Sequence, residues 1–286
     1  MATSTTPVLD YRVLDTGYCL AQEAHLMRGG RRQTVPCHSL VALLQHPTHG
    51  WMLWDTGYAP RLLRATRRLP YRLYRLATPL RLAPGGAVVA QLARYGLHAA
   101  DIRRVIISHF HADHIAGLRD FPQAQFLATP AAWADAAPRR GWAALHRAFI
   151  PSLLPPDFAA RLTLLPPFSG PPLPGLGPTH DLFGDGTLQL VALPGHARGQ
   201  IGALAQTARG PVLLAADGCW LTQAARHNRP PHPITHLFID DARAMQATLT
   251  GLHRFMAARP DVTVIPTHCP EAYAREVQPC QPPTPA

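Results

Sequence analysis

Three histidines and one aspartate lie within six consecutive positions of the chain, from His109 to His114. Imidazole nitrogen and carboxylate oxygen are ligands that zinc, iron and manganese take in proteins. An apolar run, Val105-Ile106-Ile107, precedes this motif and is typical of a buried strand. The pattern therefore predicts a metal site in a tight loop at a strand end, and a solvated polar loop is the alternative without chemistry.

Further residues of ligand type follow apolar, strand-like runs downstream, and they are His196, Asp217 and His268. Loops at strand ends carry function while the sheet supplies rigidity. We therefore expect these residues to complete one site with the histidine motif. Cys219 and Cys269 lie beside two of them, and a thiolate from either is an alternative zinc ligand.

Together with Asp55-Thr56-Gly57, these residues make the chain similar to the metallo-β-lactamase superfamily. The resemblance extends from about Leu40 to about His268. It implies an α/β fold of the αββα sandwich type, the metallo-β-lactamase fold, as a single domain with a helical cap insertion. Because this scaffold hosts many chemistries, the resemblance indicates a superfamily rather than a substrate.

The resemblance also implies a centre of two divalent metal ions. The ligands of the first ion would be His109, His111 and His196. Those of the second would be Asp113, His114 and His268, with Asp217 bridging both ions. Asp55 does not fit this ligand count, so we expect it to orient a ligand imidazole, and a simple strand-ending turn is the alternative. Zinc is the first expectation for the metal, with iron, manganese or cobalt as alternatives.

By the same resemblance, Asp113 and Asp217 are the predicted catalytic residues. Two ions about 3.5–4 Å apart acidify a bridging water, and the resulting hydroxide attacks a carbonyl or phosphoryl centre. Asp217 would then carry a proton to the leaving group. We therefore expect a metallo-hydrolase.

The layout before the metal motif is similar to that of the N-acyl homoserine lactonases. Gly17-Tyr18-Cys19 and then Pro36-Cys37 precede the Asp55 turn, and a helical insertion follows it. The resemblance implies a small-molecule substrate, a lactone or a related ester. The alternatives are a thioester hydrolase similar to glyoxalase II, a phosphodiesterase of the same superfamily and, in another class, a non-catalytic metal-binding protein.

One position departs from the lactonase pattern. The best-known lactonases have a tyrosine three residues after the bridging aspartate, and Trp220 stands there. An indole donates a hydrogen bond but is not an acid. Either the substrate differs or another group assists, and packing in the pocket wall is the alternative role for Trp220. Phe110 is also expected to shape the pocket.

All 27 basic residues of the chain are arginines, against 17 acidic residues, and the formal net charge is +10. A basic protein can bind nucleic acid. However, the arginines are dispersed except between Arg61 and Arg81, and no zinc-finger, RRM or KH pattern accompanies them. We therefore expect no nucleic-acid partner, and a genome rich in G and C explains the arginines more simply.

The Leu/Tyr/Arg-rich residues 62–82 have two interpretations. We prefer a cap over the site or a homodimer contact. Contact with an anionic membrane surface is the alternative. The arginines at the edge of this segment would also favour an anionic substrate.

We expect a flexible tail over residues 1–7, a metallo-β-lactamase-fold domain over 8–278 with the cap or dimer insertion at 61–84, and a proline-rich tail over 279–286. There is no apolar run of 18 residues and no basic region followed by an apolar stretch at the start. We therefore expect no stable membrane insertion and a cytoplasmic location. The odd number of cysteines, five, argues against a disulfide framework.

Alternation and turn residues predict a first strand at 11–14 and hairpins within 39–54 and 181–193. Helical spacing predicts helices within 62–77, 87–95, 130–150 and 240–258. The proline- and glycine-rich residues 151–178 predict an ordered surface excursion or an irregular cover.

Overall fold

The computed structural model describes residues 7–280 and contains two β-sheets. Within these residues, the strands of the first sheet are β1 (Asp10–Gln22), β2 (Thr34–His46), β3 (Gly50–Trp54), β4 (Leu80–Arg81), β5 (Ile102–Ile106), β6 (Gln125–Ala128) and β7 (Leu162–Leu164). Their order across the sheet is β4-β1-β2-β3-β5-β6-β7. The strands of the second sheet are β8 (Gly170–Leu173), β9 (Gly177–Asp181), β10 (Leu188–Ala192), β11 (Ile201–Ala205), β12 (Val212–Ala216) and β13 (Thr263–Pro266), in the order β13-β12-β11-β10-β9-β8.

Helices connect the strands and pack on the sheets. The α-helices are α1 (Glu23–Leu26), α2 (Pro60–Ala65), α3 (Arg72–Ala77), α4 (Val88–Gln91), α5 (Ala112–Ile115), α6 (Pro130–Ala136), α7 (Gly141–Leu145), α8 (Phe158–Arg161), α9 (Thr222–Arg226), α10 (Ala242–Ala258) and α11 (Pro270–Glu276). Short 3₁₀ helices span Leu92–Tyr95, Ala99–Asp101, Leu118–Asp120, Pro151–Leu153, Pro233–Phe238 and Gln278–Cys280. Within residues 7–280, none of the helices is both long and apolar enough to cross a bilayer.

Alternate residues of β2 face two different cores. Val41 and Leu43 pack under the helices that cover the first sheet, whereas Leu40 and Leu44 pack between the two sheets. Successive side chains of a strand point to opposite faces, so β2 is buried on both. Residues of β12 divide in the same way between the inter-sheet core and the core under α10. The resulting layers are helix, sheet, sheet and helix, which confirms the predicted αββα sandwich.

The strands that precede the predicted site residues end at corresponding edges. β3 and β5 are parallel, and so are β12 and β13. Because β10 is antiparallel to β11 and β11 is antiparallel to β12, β10 runs in the direction of β12. The loops after these strands carry Asp55, the His109–His114 motif, His196, Asp217 and His268.

Most of the predicted elements are confirmed. The first strand lies within β1, the two hairpins are β2–β3 and β9–β10, and the helix at 240–258 is α10. The helical residues 62–77 form α2 and α3, separated by a segment that contains Pro70, which lacks an N–H for helix continuation.

Of the two alternatives for residues 151–178, the irregular cover is wrong in part, because this segment contains β7, β8 and α8 and is therefore ordered. The prolines of β8 concealed the strand, but β8 is an edge strand, where proline is tolerated. The predicted tails lie almost wholly at residues 1–6 and 281–286, outside the described residues, and the predicted domain bounds stay a prediction.

Candidate metal centre

Asp55 directly follows β3 and lies behind the histidine motif. Its backbone is left-handed, with φ 59°, a conformation uncommon for residues with a side chain. Its carboxylate accepts hydrogen bonds from the Ser108 N–H at 2.8 Å, the Ser108 hydroxyl at 2.7 Å and His114 Nδ1 at 2.7 Å. These bonds leave His114 Nε2 directed away from Asp55, which is the arrangement that the predicted orienting role requires.

His196 is positioned by a close approach of its loop to α10. The backbone N–H groups of Asp240 and Asp241 donate to the carbonyls of His196 at 3.0 Å and Gly195 at 2.9 Å. Gly195 has φ 124°, and a Cβ there would lie 2.0 Å from the Met245 nitrogen. Glycine is therefore required before His196, because any side chain would separate the loop from the helix.

The predicted ligand residues form one cluster, and within the described residues their potential ligand atoms make three groups. In each group the atoms lie within 4.8 Å of one another. Two groups are the first triad, His109, His111 and His196, and the second triad, Asp113, His114 and His268. The remaining group is His109, His114 and Asp217.

Asp217 lies between the two triads. Its Oδ2 is 3.1 Å from His196 Nε2 in the first triad and 3.0 Å from His268 Nε2 in the second. Its Oδ1 is 3.4 Å from His114 Nε2. Oδ2 is therefore close to both triads, and Oδ1 is close to the second triad. A ligand shared between two ions needs such a position.

Several buried polar atoms of the cluster have no hydrogen-bond partner in the described part of the chain. They include His109 Nε2, His114 Nε2 and Asp217 Oδ1. Buried polar atoms nearly always have a partner, and a cation among these atoms would satisfy them together. Nitrogen and oxygen donors of this kind suit zinc, iron or manganese, so the cluster fits a divalent metal site.

Burial keeps part of the cluster neutral. It lowers the pKa of His109, His111 and His196 below the ordinary value of 6.5, and repulsion from neighbouring imidazoles adds to this effect at His109 and His111. A neutral imidazole is the form that binds a metal ion. The first triad is therefore in its ligand form at neutral pH.

The carboxylate of Asp217 stabilises positive charge in the second triad. Burial raises the pKa of Asp217, but the charges of His268, His196 and His114 outweigh burial and keep that pKa well below 3.8. Burial lowers the pKa of His268, but the charge and hydrogen bond of Asp217 raise it to about 9. Ionised Asp217 thus favours positive charge here, as a protonated imidazole or as a metal ion.

The model of the Metallo-beta-lactamase superfamily matches residues 34–218. The chain belongs to this superfamily. The matched region contains Asp55, the His109–His114 motif, His196 and Asp217, whereas His268 lies beyond it.

Two relatives are similar in sequence to much of the chain. The N-acyl homoserine lactonase AttM of Azorhizobium caulinodans is 27% identical over 192 residues, 65% of this chain and 65% of that protein. The metallo-hydrolase mfmC of Annulohypoxylon moriforme is 28% identical over 265 residues, 85% of this chain and 63% of that protein. The matches therefore span just under two thirds of each relative.

A solved structure has the same fold over nearly the whole chain. It is an N-acyl homoserine lactone hydrolase with the product N-hexanoyl-L-homoserine bound at its catalytic metal centre. The TM-score is 0.72 at 16% identity, and the superposition covers 96% of this chain and 99% of that one. At this identity the likeness establishes the superfamily fold alone.

A cavity of about 1020 Å³ borders the cluster of predicted ligands, which we call the metal-donor cluster. Its wall includes His111, Asp113, His196, Asp217 and His268. Much of the remaining wall is apolar and includes Leu20, Leu73, Trp142, Leu145, Leu237 and Phe238. No arginine is among the described residues that line it. The structure therefore gives no support to the expectation that arginines of residues 62–82 favour an anionic substrate.

Trp220 contacts the cluster directly. Its indole Nε1–H donates a hydrogen bond to Asp217 Oδ2 at 3.1 Å, and its ring lies edge-on to His196 with centroids 5.6 Å apart. The residue also lines the large cavity. Trp220 therefore does more than pack, because it fixes the orientation of the carboxylate between the two triads.

Tyr74 of α3 belongs to the segment predicted to cap the site, but its contact with a predicted ligand was missed. Its hydroxyl donates a hydrogen bond to Asp113 Oδ1 at 3.3 Å, and the residue lines the large cavity. Burial and the charge of Asp113 raise the pKa of Tyr74 well above 10, so the phenol keeps its proton. The only sequence signal was a tyrosine in the cap segment, and nothing local showed that it faces the site.

Phe110 lies away from the large cavity. Its ring packs 5.7 Å from Trp133 and 6.1 Å from Phe149, between centroids. It lines a smaller cavity of about 260 Å³, which shares His111 and His196 with the large one. Phe110 was expected to shape the pocket, and the structure places it in the wall of this smaller cavity.

The alternative ligands Cys219 and Cys269 do not join the donor groups of the described residues. Both are buried, and the Cys269 sulfur accepts a hydrogen bond from the Thr222 N–H at 3.3 Å. The thiols are therefore structural neighbours of the cluster.

Proposed function

We propose that the chain is a dinuclear metal-dependent hydrolase that opens lactones bearing a neutral, apolar acyl group. The observation that carries this proposal is the metal-donor cluster in the wall of a large, mainly apolar cavity that no described arginine lines. An N-acyl homoserine lactone combines an apolar acyl group with a reactive lactone ring. The relative named AttM, an N-acyl homoserine lactonase, supports this choice.

The two triads would each hold one ion, with Asp217 shared between them. The 3.0–3.1 Å separations of Asp217 Oδ2 from His196 and His268 support this assignment. We place zinc first, with iron, manganese or cobalt as alternatives, because the donors are imidazoles and carboxylates. When bound, such ions acidify water and polarise a carbonyl oxygen.

The chain's own residues would orient the substrate and move its proton. The Tyr74 hydroxyl, which keeps its proton and donates a hydrogen bond to Asp113 when no substrate is bound, would turn from Asp113 and donate to the substrate carbonyl oxygen. Trp220 would hold Asp217 in place while that carboxylate carries a proton to the departing ring oxygen. The net reaction adds water across the acyl C–O bond and yields a hydroxy acid, which releases a proton at neutral pH.

The cavity wall disfavours the other hydrolase substrates. Phosphodiesters and glutathione thioesters are anionic, and proteins usually bind such groups with arginine or lysine. The described residues of the cavity wall include no such cation, although the chain as a whole has a net charge of +10. A non-catalytic metal-binding protein is disfavoured because the cluster contains every predicted ligand.

A substrate panel tests the proposal. The zinc-loaded protein would be given N-decanoyl homoserine lactone, a glutathione thioester and a phosphodiester, and proton or chromophore release would be followed. We expect rapid opening of the lactone, and none by protein treated with a chelator. Turnover of the phosphodiester or the thioester without the lactone would contradict the proposed substrate class.

Two predictions concern the surroundings of the protein. The homodimer through the cap segment, residues 61–84, stays a prediction that the mass of the protein in solution tests. The cytoplasmic location also stays a prediction, and fractionation of the source cells tests it.

A further inference from the structure

Two cysteines form a cross-strand pair, which we call the thiol pair, Cys19 of β1 and Cys37 of β2. They are directly opposite each other in the antiparallel register, between the pairs Tyr18–His38 and Leu20–Pro36. Opposite residues of antiparallel strands have Cα atoms about 4.5–5.5 Å apart. Disulfides span Cα separations of about 4.4–6.8 Å, so the backbone already has a spacing that a disulfide accepts.

The thiol pair lies at the proposed site. Cys19 is partly exposed and Cys37 is buried, and both line the large cavity with Asp113 and His268. The pKa of Cys19 is lowered, and the largest cause is a hydrogen bond from the Cys37 thiol. The register places the two side chains next to each other, and the large cavity gives small molecules access to Cys19.

The other described cysteines differ in access. Cys219 and Cys269 are buried, with 1% and 2% of their surfaces exposed, and neither lines the large cavity. A small oxidant in the cavity thus meets the thiol pair and not these residues, which makes them internal controls.

We propose that Cys19 and Cys37 are a redox-modification site that a hydroperoxide converts to a disulfide, which slows hydrolysis at the neighbouring metal centre. The Cys19 sulfur attacks the peroxide O–O bond, giving a sulfenic acid and, with hydrogen peroxide, one water. The Cys37 sulfur then attacks the Cys19 sulfur and releases a second water. Two thiol hydrogens and two electrons pass to the peroxide, and a dithiol reductant reverses the change.

The effect on hydrolysis follows from the neighbours of Cys37. The next residue, His38, accepts a hydrogen bond through its backbone carbonyl from His268 Nδ1 at 2.5 Å. A disulfide at Cys37 restrains the part of β2 that carries this carbonyl, and it replaces two thiols in the wall of the large cavity with a sulfur–sulfur bond. The effect on turnover rests on the proposed function, whereas formation of the disulfide does not.

Peptide mapping of the full-length, zinc-loaded protein tests the proposal. After treatment with hydrogen peroxide, free thiols would be alkylated and the protein digested with trypsin without reduction. Cys19 and Cys37 fall in separate peptides, 13–28 and 33–61, because Arg28, Arg31 and Arg32 lie between them. We expect these two peptides to be linked with the loss of two hydrogen atoms. Cys219 and Cys269, in peptides 210–226 and 255–275, should be unlinked.

Single variants serve as matched controls. Cys19→Ser and Cys37→Ser should each abolish the linked peptides, whereas Cys219→Ser should retain them. In the wild type, oxidation should lower the rate of lactone opening, and dithiothreitol should restore it.

Each remaining outcome counts against the proposal. Unlinked, separately alkylated peptides, or a sulfinic acid on Cys19, would overturn the disulfide. Linked peptides with unchanged turnover would overturn its control of hydrolysis. If the protein opened no lactone at all, the proposed function would fail, but the linkage result would still decide the modification site.

Discussion

The metal-donor cluster and the apolar wall of the large cavity differ in how the chain specifies them. Every donor follows the end of a strand in a short motif, and most are buried and tied to the backbone or to a neighbouring carboxylate. The apolar wall comes from separate segments, and several of its side chains are more than half exposed, among them Trp142, Leu237 and Phe238.

This difference separates chemistry from selectivity. A change in the cluster removes charge or a ligand from a buried site and should affect every substrate. A change in the wall removes part of an exposed apolar contact and should affect only substrates long enough to reach it. Four substitutions test this division, beginning with the largest expected effect.

Asp217→Asn should lower kcat/KM for the lactone by more than about a hundredfold, because it removes the negative charge shared by both triads. Circular dichroism should show an unchanged fold. Steady-state kinetics at saturating zinc is the measurement, and undiminished turnover would refute the shared carboxylate.

Asp55→Asn should weaken metal binding about 10–100-fold, because the amide carries no charge and has one accepting oxygen where the carboxylate uses two, Oδ1 for the Ser108 N–H and Oδ2 for the Ser108 hydroxyl and His114. Competition with a chromophoric chelator measures the affinity. The matched control is Asp185→Asn, which disturbs the pair of Asp185 with His46, 2.8 Å apart and outside the donor groups. Equal losses in both variants would mean that Asp55 acts only through stability.

Tyr74→Phe should lower kcat about tenfold and change KM little, since one hydroxyl donor near the reacting carbonyl is lost. The control is Tyr71→Phe in the same segment, whose hydroxyl accepts a hydrogen bond from the Gly141 N–H at 3.0 Å. If kcat is retained in Tyr74→Phe, or falls equally in both variants, Tyr74 has no special part in turnover.

Leu237→Asn should raise KM about threefold for N-decanoyl homoserine lactone and leave the N-butanoyl compound unaffected, because only the longer chain reaches this wall. Leu164→Asn is the control, since Leu164 is exposed but does not line the cavity. An equal rise for both substrates would place Leu237 near the reacting ring.

The metal-donor cluster and the cavity wall also differ in how well they could be predicted from the sequence. The αββα layers were predictable only through the resemblance to the superfamily. The positions of His109, His196, Asp217 and His268 after strand ends were predictable from short motifs and apolar runs, which are local signals. The strands within 151–178 were missed because proline on an edge strand resembles a loop.

Tyr74 and the thiol pair were beyond local signals. Tyr74 meets Asp113 across 39 positions of sequence, and Cys19 meets Cys37 through the register of two strands. The contact of Trp220 with Asp217 was accessible in principle, since only two residues separate them, but its geometry depends on the turn after β12. Tertiary packing decides such contacts, so a single sequence does not reveal them.

One titration tests most directly whether two metal ions in this cluster open a neutral lactone. Zinc would be titrated into chelator-treated protein while bound zinc is counted by elemental analysis and opening of N-decanoyl homoserine lactone is followed by proton release. We expect the rate to rise to its maximum at two ions per chain. Full activity at one ion, or two bound ions without ring opening, would contradict it.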